Sequence, residues 1–133
     1  MKGASYTILI LITLTAVLIG TAVAGPPSAR KKDKINNGNH QGEITAGSPD
    51  VFVNGAAAAR YGDPTTCSGE DYVGMPPEPV PHEGGNIWEG SASVFINGLP
   101  AARYGDSVYE PLAPKDNQFS AIVTGSSDVF IGN

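Results

Sequence analysis

The chemically distinctive side chains of this chain are few: two histidines, His40 and His82, and one cysteine, Cys67. A single cysteine cannot form an intramolecular disulfide. It can be a buried, inert apolar residue, a metal ligand or a nucleophile. Nucleophilic catalysis by Cys67 with His82 would need a cleft and a third residue that orients the histidine.

The spacing of these side chains relates the two histidines to each other and leaves a metal site as one of the alternatives. His40 precedes Gly47 by seven residues and His82 precedes Gly90 by eight, so the two histidines occupy equivalent places before two similar segments. Imidazole nitrogen and thiolate both suit zinc, with bonds of about 2.0–2.1 Å and 2.3 Å. The alternative interpretation is a surface histidine and a buried thiol.

A second set of polar residues recurs at one spacing. An arginine is followed three residues later by an aspartate in three pairs: Arg30 and Asp33, Arg60 and Asp63, Arg103 and Asp106. The simplest interpretation is an ion pair that fixes a turn, worth about 0–1 kcal/mol if it is exposed. A catalytic role for the aspartate would need a partner that is repeated nearby, and the sequence has none.

These pairs belong to an internal repeat. Residues 47–63, GSPDVFVNGAAAARYGD, align without gaps on residues 90–106, GSASVFINGLPAARYGD, and twelve of the 17 positions are identical. A partial copy, GSSDVFIGN, ends the chain at residues 125–133, and its missing half matches residues 25–33, GPPSARKKD. The sequence therefore predicts three units in a closed ring, with residues 129–133 lying beside residues 25–30.

Each unit has the pattern of a β-hairpin. β-Branched and aromatic residues favour a strand, and the following Asn54-Gly55 and Asn97-Gly98 favour a two-residue turn with positive φ at both positions. The small residues of the return strand allow three such strands to approach closely. We expect the equivalent phenylalanines to form one buried layer: Phe52, Phe95 and Phe130.

Composition agrees with a chain of strands and turns. Gly and Pro supply 17 and 11 of the 133 residues, which favours short strands over helices. The Pro-rich stretch 75–81 predicts an extended or polyproline-like loop. The net charge of −5 argues against a nucleic-acid partner, which needs a basic surface. No Walker loop, HExxH or GxSxG motif is present, so an enzyme is not expected.

The first part of the chain is different in character. Residues 8–24, ILILITLTAVLIGTAVA, carry no charge, and Ala22-Val23-Ala24 has the small-x-small form of a signal-peptidase site. Seventeen apolar residues are also near the lower limit for a membrane span. Residues 1–24 are therefore a signal peptide or a membrane anchor, or strands built into an assembly, and residues 25–133 form one domain.

The repeated segments resemble the PAAR family. Residues 99–106, LPAARYGD, contain the Pro-Ala-Ala-Arg string for which that family is named, and GSxxVFxNG is the strand that accompanies it. The resemblance covers residues 25–133. It implies a small all-β domain, conical and pseudo-threefold, built of short hairpins.

The resemblance also implies a cofactor, a structural zinc near the point of the cone. Its ligands would come from loops that follow the Arg-x-x-Asp turns, which here contain His40, Cys67 and His82. The third such loop has neither histidine nor cysteine, and Glu110 stands four residues after Asp106, as Cys67 does after Asp63. Glu110 is the expected fourth ligand, with Asp116 or water as weaker candidates.

The function implied by the resemblance is mechanical. A PAAR protein caps and sharpens a homotrimeric spike, VgrG-like in type VI secretion systems or part of a contractile phage tail, for puncture of a target membrane. The chain would be monomeric alone and would reside at a virion tail tip or be secreted by the injection apparatus. The second hypothesis is a membrane-anchored PAAR adaptor, or a carrier of cargo or effectors, that uses residues 1–24 as its anchor.

Overall fold

The computed structural model describes Gly3, residues 24–38 and residues 40–132. In this part of the chain the regular structure consists of twelve short strands without a helix, which confirms the predicted all-β class. They are β1 (Lys34–Asn36), β2 (Gln41–Ile44), β3 (Phe52–Val53), β4 (Ala56–Ala57), β5 (Thr65–Ser68), β6 (Glu70–Val73), β7 (Glu78–Pro81), β8 (Asn86–Ile87), β9 (Phe95–Ile96), β10 (Leu99–Pro100), β11 (Ser107–Tyr109) and β12 (Phe119–Ile122).

No helix of the described residues is long and apolar enough to cross a membrane. Residues 4–23, which hold nearly all of the predicted signal peptide or anchor, lie outside the described residues. That assignment therefore stays a prediction.

Three alanines of the return segments form a closed ring of backbone hydrogen bonds. The amide of Ala29 donates to the carbonyl of Ala102 (3.0 Å), that of Ala102 to Ala59 (2.9 Å), and that of Ala59 to Ala29 (2.9 Å). All three residues are fully buried. Only a small side chain permits backbones to meet in this way around an axis, which explains the alanines at this repeat position.

Around this ring lie three hairpin units. β3 pairs with β4 and β9 with β10, and the predicted turns are confirmed: Asn54 and Asn97 have φ of 52°, and the glycines after them have φ of 77°. We call the three units, residues 25–33, 47–63, 90–106 and 125–132, the hairpin ring.

The two ends of the chain meet within the hairpin ring. Pro27 forms a β-bridge with Phe130, and the amide of Ser28 donates to the carbonyl of Val129 at 2.9 Å. The same bond is made within one unit by Ala58 and Val51, also at 2.9 Å. The terminal segments therefore make across the chain ends the hydrogen bond that a continuous unit makes internally.

Side chains connect each unit to the next. Ser48 Oγ donates to Asn97 Oδ1 and Ser126 Oγ donates to Asn54 Oδ1, each at 2.6 Å. In the third junction Ser91 Oγ donates to the backbone carbonyl of Gly132, again at 2.6 Å. The ring thus closes with three equivalent contacts. The acceptor is an asparagine side chain in two of them and a backbone carbonyl in the third.

The expected phenylalanine layer is wrong. Phe52, Phe95 and Phe130 are 59%, 57% and 46% exposed, whereas the residue after each is buried, and these residues are Val53, Ile96 and Ile131. Successive strand residues point to opposite faces, so burying the β-branched residue exposes its aromatic neighbour. The buried cluster here consists of Val53, Ile96 and Ile131 with Ala58 and Ala101.

The hairpin ring continues into a six-stranded antiparallel sheet with strand order β5-β2-β1-β12-β11-β8. A bridge between Pro64 and Asn86 links its two edges, so the sheet is nearly closed. Its interior contains a buried apolar cluster of Ala29, Ile35, Ile44, Ala59, Ile87, Ala102, Val108 and Ile122. This core joins the sheet to the hairpin ring.

The long insert between the first and second units is more regular than the predicted loop. Residues 75–81 were expected to be extended or polyproline-like, and Glu78–Pro81 is extended, as the strand β7 that pairs with β6 (Glu70–Val73) in a hairpin. The prolines of β7 cannot donate ladder hydrogen bonds, but β7 pairs with β6 alone. Prolines are tolerated on such an edge strand.

Candidate metal centre

The predicted ligands collect at one end of the six-stranded sheet, where β2 begins and where β5 and β11 end. His40 immediately precedes β2, Cys67 lies near the end of β5, and Glu110 immediately follows β11. In the antiparallel pairing Gln41 lies opposite Ser68, so the start of β2 and the end of β5 meet. His82 directly follows β7, and the β6–β7 hairpin begins at this same end of the sheet, where β5 ends.

His82 is the centre of this cluster. Its Nδ1 lies 2.9 Å from Oε2 of Glu110 and its Nε2 lies 2.7 Å from Oδ2 of Asp71. Both His82 and Glu110 are buried, and the second carboxylate oxygen of Glu110 accepts a hydrogen bond from Ser120 Oγ at 2.9 Å. The carboxylate is therefore held by two partners before any ion is considered.

His40 stacks on His82 and shares its second carboxylate. The two ring centroids are 4.0 Å apart and the planes differ by 12°. His40 Nε2 lies 2.8 Å from Oδ1 of Asp71, and Asn117 donates to Oδ2 of the same side chain at 2.8 Å. Asp71 thus connects both histidines to the β6–β7 hairpin.

The charges of the cluster support one another. Hydrogen bonds from Asn117, and then from His82 and His40, hold the pKa of Asp71 well below its usual range. Burial lowers the pKa of His82, but its hydrogen bonds to Asp71 and Glu110 outweigh burial, and the net shift is upward. The two carboxylates thus favour the protonated form of His82.

The Cys67 thiol is not activated as a nucleophile. Burial, and then the nearby Glu110 carboxylate, raise the pKa of Cys67 to about 12. A catalytic cysteine needs a lowered pKa, because the thiolate is the nucleophile. A metal ion could displace the thiol proton, since metal binding and ligand deprotonation are coupled.

Ligand atoms lie within 4.8 Å of one another in two groups of the described residues: Cys67, His82 and Glu110, and His40, Asp71 and His82. The four residues predicted from the sequence are thus neighbours, but they are divided between two groups that share His82. Asp116, the weaker candidate, belongs to neither.

The donor set fits a transition-metal ion such as zinc, which takes imidazole, thiolate and carboxylate ligands. His40 Nδ1 is buried and has no hydrogen-bond partner among the described residues. A buried polar atom without a partner is costly, and a bound metal ion is one way to satisfy an imidazole nitrogen. Gly69 permits the close packing here, because a Cβ at that position would lie 2.0 Å from His40 Nδ1.

Asp71 is the residue that sequence reasoning missed. It lies in the insert between the first two units, residues 64–89, which contains five acidic residues: Glu70, Asp71, Glu78, Glu83 and Glu89. No spacing rule distinguished one of them. The signal would have been the β6–β7 pairing, which places Asp71 beside the histidines.

The predicted Arg–Asp pairs lie away from this centre, at the three turns of the hairpin ring. The guanidinium–carboxylate distances are 3.1 Å for Arg30–Asp33, 2.9 Å for Arg60–Asp63 and 3.0 Å for Arg103–Asp106. Each aspartate is buried and also accepts the backbone N–H of its arginine at 2.7–2.8 Å. Their geometry is that of turn-fixing pairs with three or more bonds each.

Comparison with protein-family models agrees with the repeats seen in the sequence. The model of the PAAR motif matches residues 38–79 and again residues 77–133. No curated protein matches the chain. The two matches together run through both complete units, the C-terminal half unit and every residue of the metal cluster, and the chain therefore belongs to the PAAR-motif family.

Proposed function

We propose that this protein is a spike tip that caps a homotrimeric spike of the VgrG-like or phage-tail kind and sharpens it for membrane puncture. Membership of the PAAR family supports a spike-tip function of this general type. The observation that carries the proposal further is the ring of Ala29, Ala59 and Ala102, closed by three equivalent hydrogen bonds. One chain that presents three similar faces can match a threefold partner.

The exposed phenylalanines are the expected contacts with that partner. They occupy equivalent positions of the three units and each exposes about half of its surface. Aromatic side chains are common anchors in protein interfaces. Three of them at pseudo-threefold positions suit three identical clefts on a trimer.

The test is the stoichiometry of the complex. The full-length chain mixed with a trimeric spike protein should give one chain per trimer by native mass spectrometry. Replacement of Phe52, Phe95 and Phe130 together by serine should abolish the complex, while Tyr72→Ser, in the β6–β7 hairpin, should leave it intact. A complex with three chains per trimer would contradict the cap, and so would an unaltered complex of the triple variant.

We further propose that the cluster binds one structural zinc ion. Cys67, His82 and His40 would supply sulfur and nitrogen ligands, and Glu110 or Asp71 the carboxylate. When bound, the ion would cross-link the end of the sheet to the β6–β7 hairpin. Little apolar surface is available for burial in this region. The chain has no catalytic role in this proposal, because its cysteine is not activated and the family is a structural one.

Metal analysis of protein never exposed to a chelator tests the site. About one equivalent of zinc is expected, and the complete absence of metal would reject the proposal. Glu110→Gln and Asp71→Asn, compared in zinc affinity, would show which carboxylate is the ligand. The variant of the ligand should lose affinity by roughly 10–100-fold or more, a range known for supporting residues of metal sites.

The hydrophobic run of residues 8–24 favours a second candidate, a membrane-anchored adaptor or cargo carrier. An anchored form would remain with membranes at high salt. A processed form would begin near Gly25 and would be released. Fractionation followed by N-terminal sequencing distinguishes these outcomes.

A further inference from the structure

One of the three turns in the hairpin ring carries different side chains on the same backbone. Tyr61-Gly62 and Tyr104-Gly105 lie between arginine and aspartate in two units, and Lys31-Lys32 lies there in the third. The first residue of each turn donates its N–H to the carbonyl of a neighbouring hairpin at 2.8 Å; the acceptors are Ala57 for Lys31, Pro100 for Tyr61 and Pro27 for Tyr104. The difference is therefore confined to the side chains.

Lys32 adopts a conformation for which glycine is the normal residue. Its φ is 76°, against 84° for Gly62 and 88° for Gly105. A residue with a Cβ is uncommon in this region, because Cβ approaches backbone atoms. A lysine at one of three equivalent positions, where the other two have glycine, points to a functional role for the lysine side chain.

Both lysines border an open groove. It has a volume of about 370 Å³ and is lined by Lys31, Lys32, Phe52, Gly55, Ala56 and Ala57. Phe52 is 59% exposed in it. At the equivalent positions of the other two faces, tyrosines stand beside Phe95 and Phe130, and a basic side chain is not present.

The positive charge of this groove is not neutralised by the described part of the protein. None of the ion pairs among the described residues includes Lys31 or Lys32. Glu43 is paired with Lys34 at 2.8 Å, and Lys34 lowers the pKa of Glu43 more than Lys32 does. Two unpaired lysines beside an exposed phenyl ring stand out in a chain of net charge −5.

We propose that this groove binds an extended segment of a partner protein in which acidic side chains flank an apolar one. The lysines would pair with the carboxylates, and the apolar side chain would lie on Phe52. The concave shape suits a peptide better than a bilayer, which meets protruding side chains. Since only one of three faces carries the lysines, one such segment binds per chain and the pseudo-threefold cap has one distinct side.

The experiment uses the full-length chain and the peptide Glu-Glu-Phe-Glu-Glu with blocked ends, with binding followed by amide chemical shifts. Shifts should concentrate at the Lys31–Lys32 turn and at Phe52 and Gly55. The double variant Lys31→Tyr, Lys32→Gly copies the other two turns and removes strain, so it should fold. It should bind at least about tenfold more weakly, as should the wild type with Lys-Lys-Phe-Lys-Lys.

The reverse variant, Tyr104→Lys with Gly105→Lys, sharpens the test because it should create a second site at Phe130. Equal shifts at the Tyr61 and Tyr104 turns of the wild type would overturn the proposal, as would unchanged affinity in the Lys31→Tyr, Lys32→Gly variant. Lysine-dependent binding to phosphatidylserine vesicles over phosphatidylcholine vesicles, without peptide binding, would also overturn it in favour of a membrane. The binding of this segment does not require a trimeric spike, but both partners would contact Phe52, so the two are expected to compete for that face.

Discussion

The hairpin ring and the metal cluster are held together in opposite ways. The backbone contacts of the alanine ring and the serine contacts between units are each made three times, at equivalent positions. The cluster is made once, and His82 contacts Asp71, Glu110 and the ring of His40. A repeated structure distributes its stability over copies, whereas the cluster depends on one side chain.

The largest loss of stability from a single substitution is therefore expected at His82. His82→Ala removes the ionisable partner of Glu110, which is fully buried, and leaves its carboxylate with the hydrogen bond from Ser120 alone. The loss of a partner from a buried pair costs about 3–5 kcal/mol. Urea unfolding of the full-length chain measures this cost, and the variant should also lose bound zinc.

Glu110→Gln is the matched control for His82→Ala, because it keeps the shape and removes the charge. It should cost less than His82→Ala. A loss below about 1 kcal/mol in His82→Ala, the usual size of a surface effect, would show that the cluster is not organised around this histidine.

The next largest effect is expected at the axis of the hairpin ring. Ala59→Leu inserts a larger side chain where three backbones meet, and overpacking of this kind costs about 1–3 kcal/mol. Ala102→Leu should cost a similar amount, since the two positions are equivalent. The midpoint of urea unfolding measures both.

Ala56→Leu is the control for the axis, because Leu99 already stands at that position of the second unit. It should change stability little. A cost as large as that of Ala59→Leu would mean that the alanine ring is not the tightest contact of the unit.

The serine junctions should show the pseudo-threefold symmetry as nearly equal energies. Ser48, Ser91 and Ser126 are buried, and each also accepts a backbone N–H three residues ahead, from Val51, Val94 or Val129 at 2.9–3.0 Å. Each replacement by alanine should cost about 1–2 kcal/mol, because a backbone donor loses its partner. Thermal unfolding of the three variants measures these costs. A cost that differs clearly from the other two would identify a junction that does not share the symmetry.

Sequence reasoning succeeded for the hairpin ring and was less complete for the cluster, and the cause is physical. Asn54-Gly55 and Asn97-Gly98 specify turns by local chemistry, and repetition indicated that distant copies share one structure. Asp71 reaches the histidines only because β6 pairs with β7, and no local signal encodes that pairing. The exposed Phe52 shows a further limit, since alternation predicts two faces but not which of them is buried.

The smallest predicted effect has the opposite sign and lies where the ring departs from its own symmetry. Lys32→Gly places glycine at a φ of 76°, as in the other two turns, and relieves a cost of about 1 kcal/mol. Glycine also increases the entropy of the unfolded chain, so the net gain should be a fraction of that value. Lys31→Tyr should leave stability unchanged, because it alters an exposed side chain only. A loss of stability in Lys32→Gly would show that the lysine supports the fold, and that the asymmetry of the ring is structural in origin and not a binding feature.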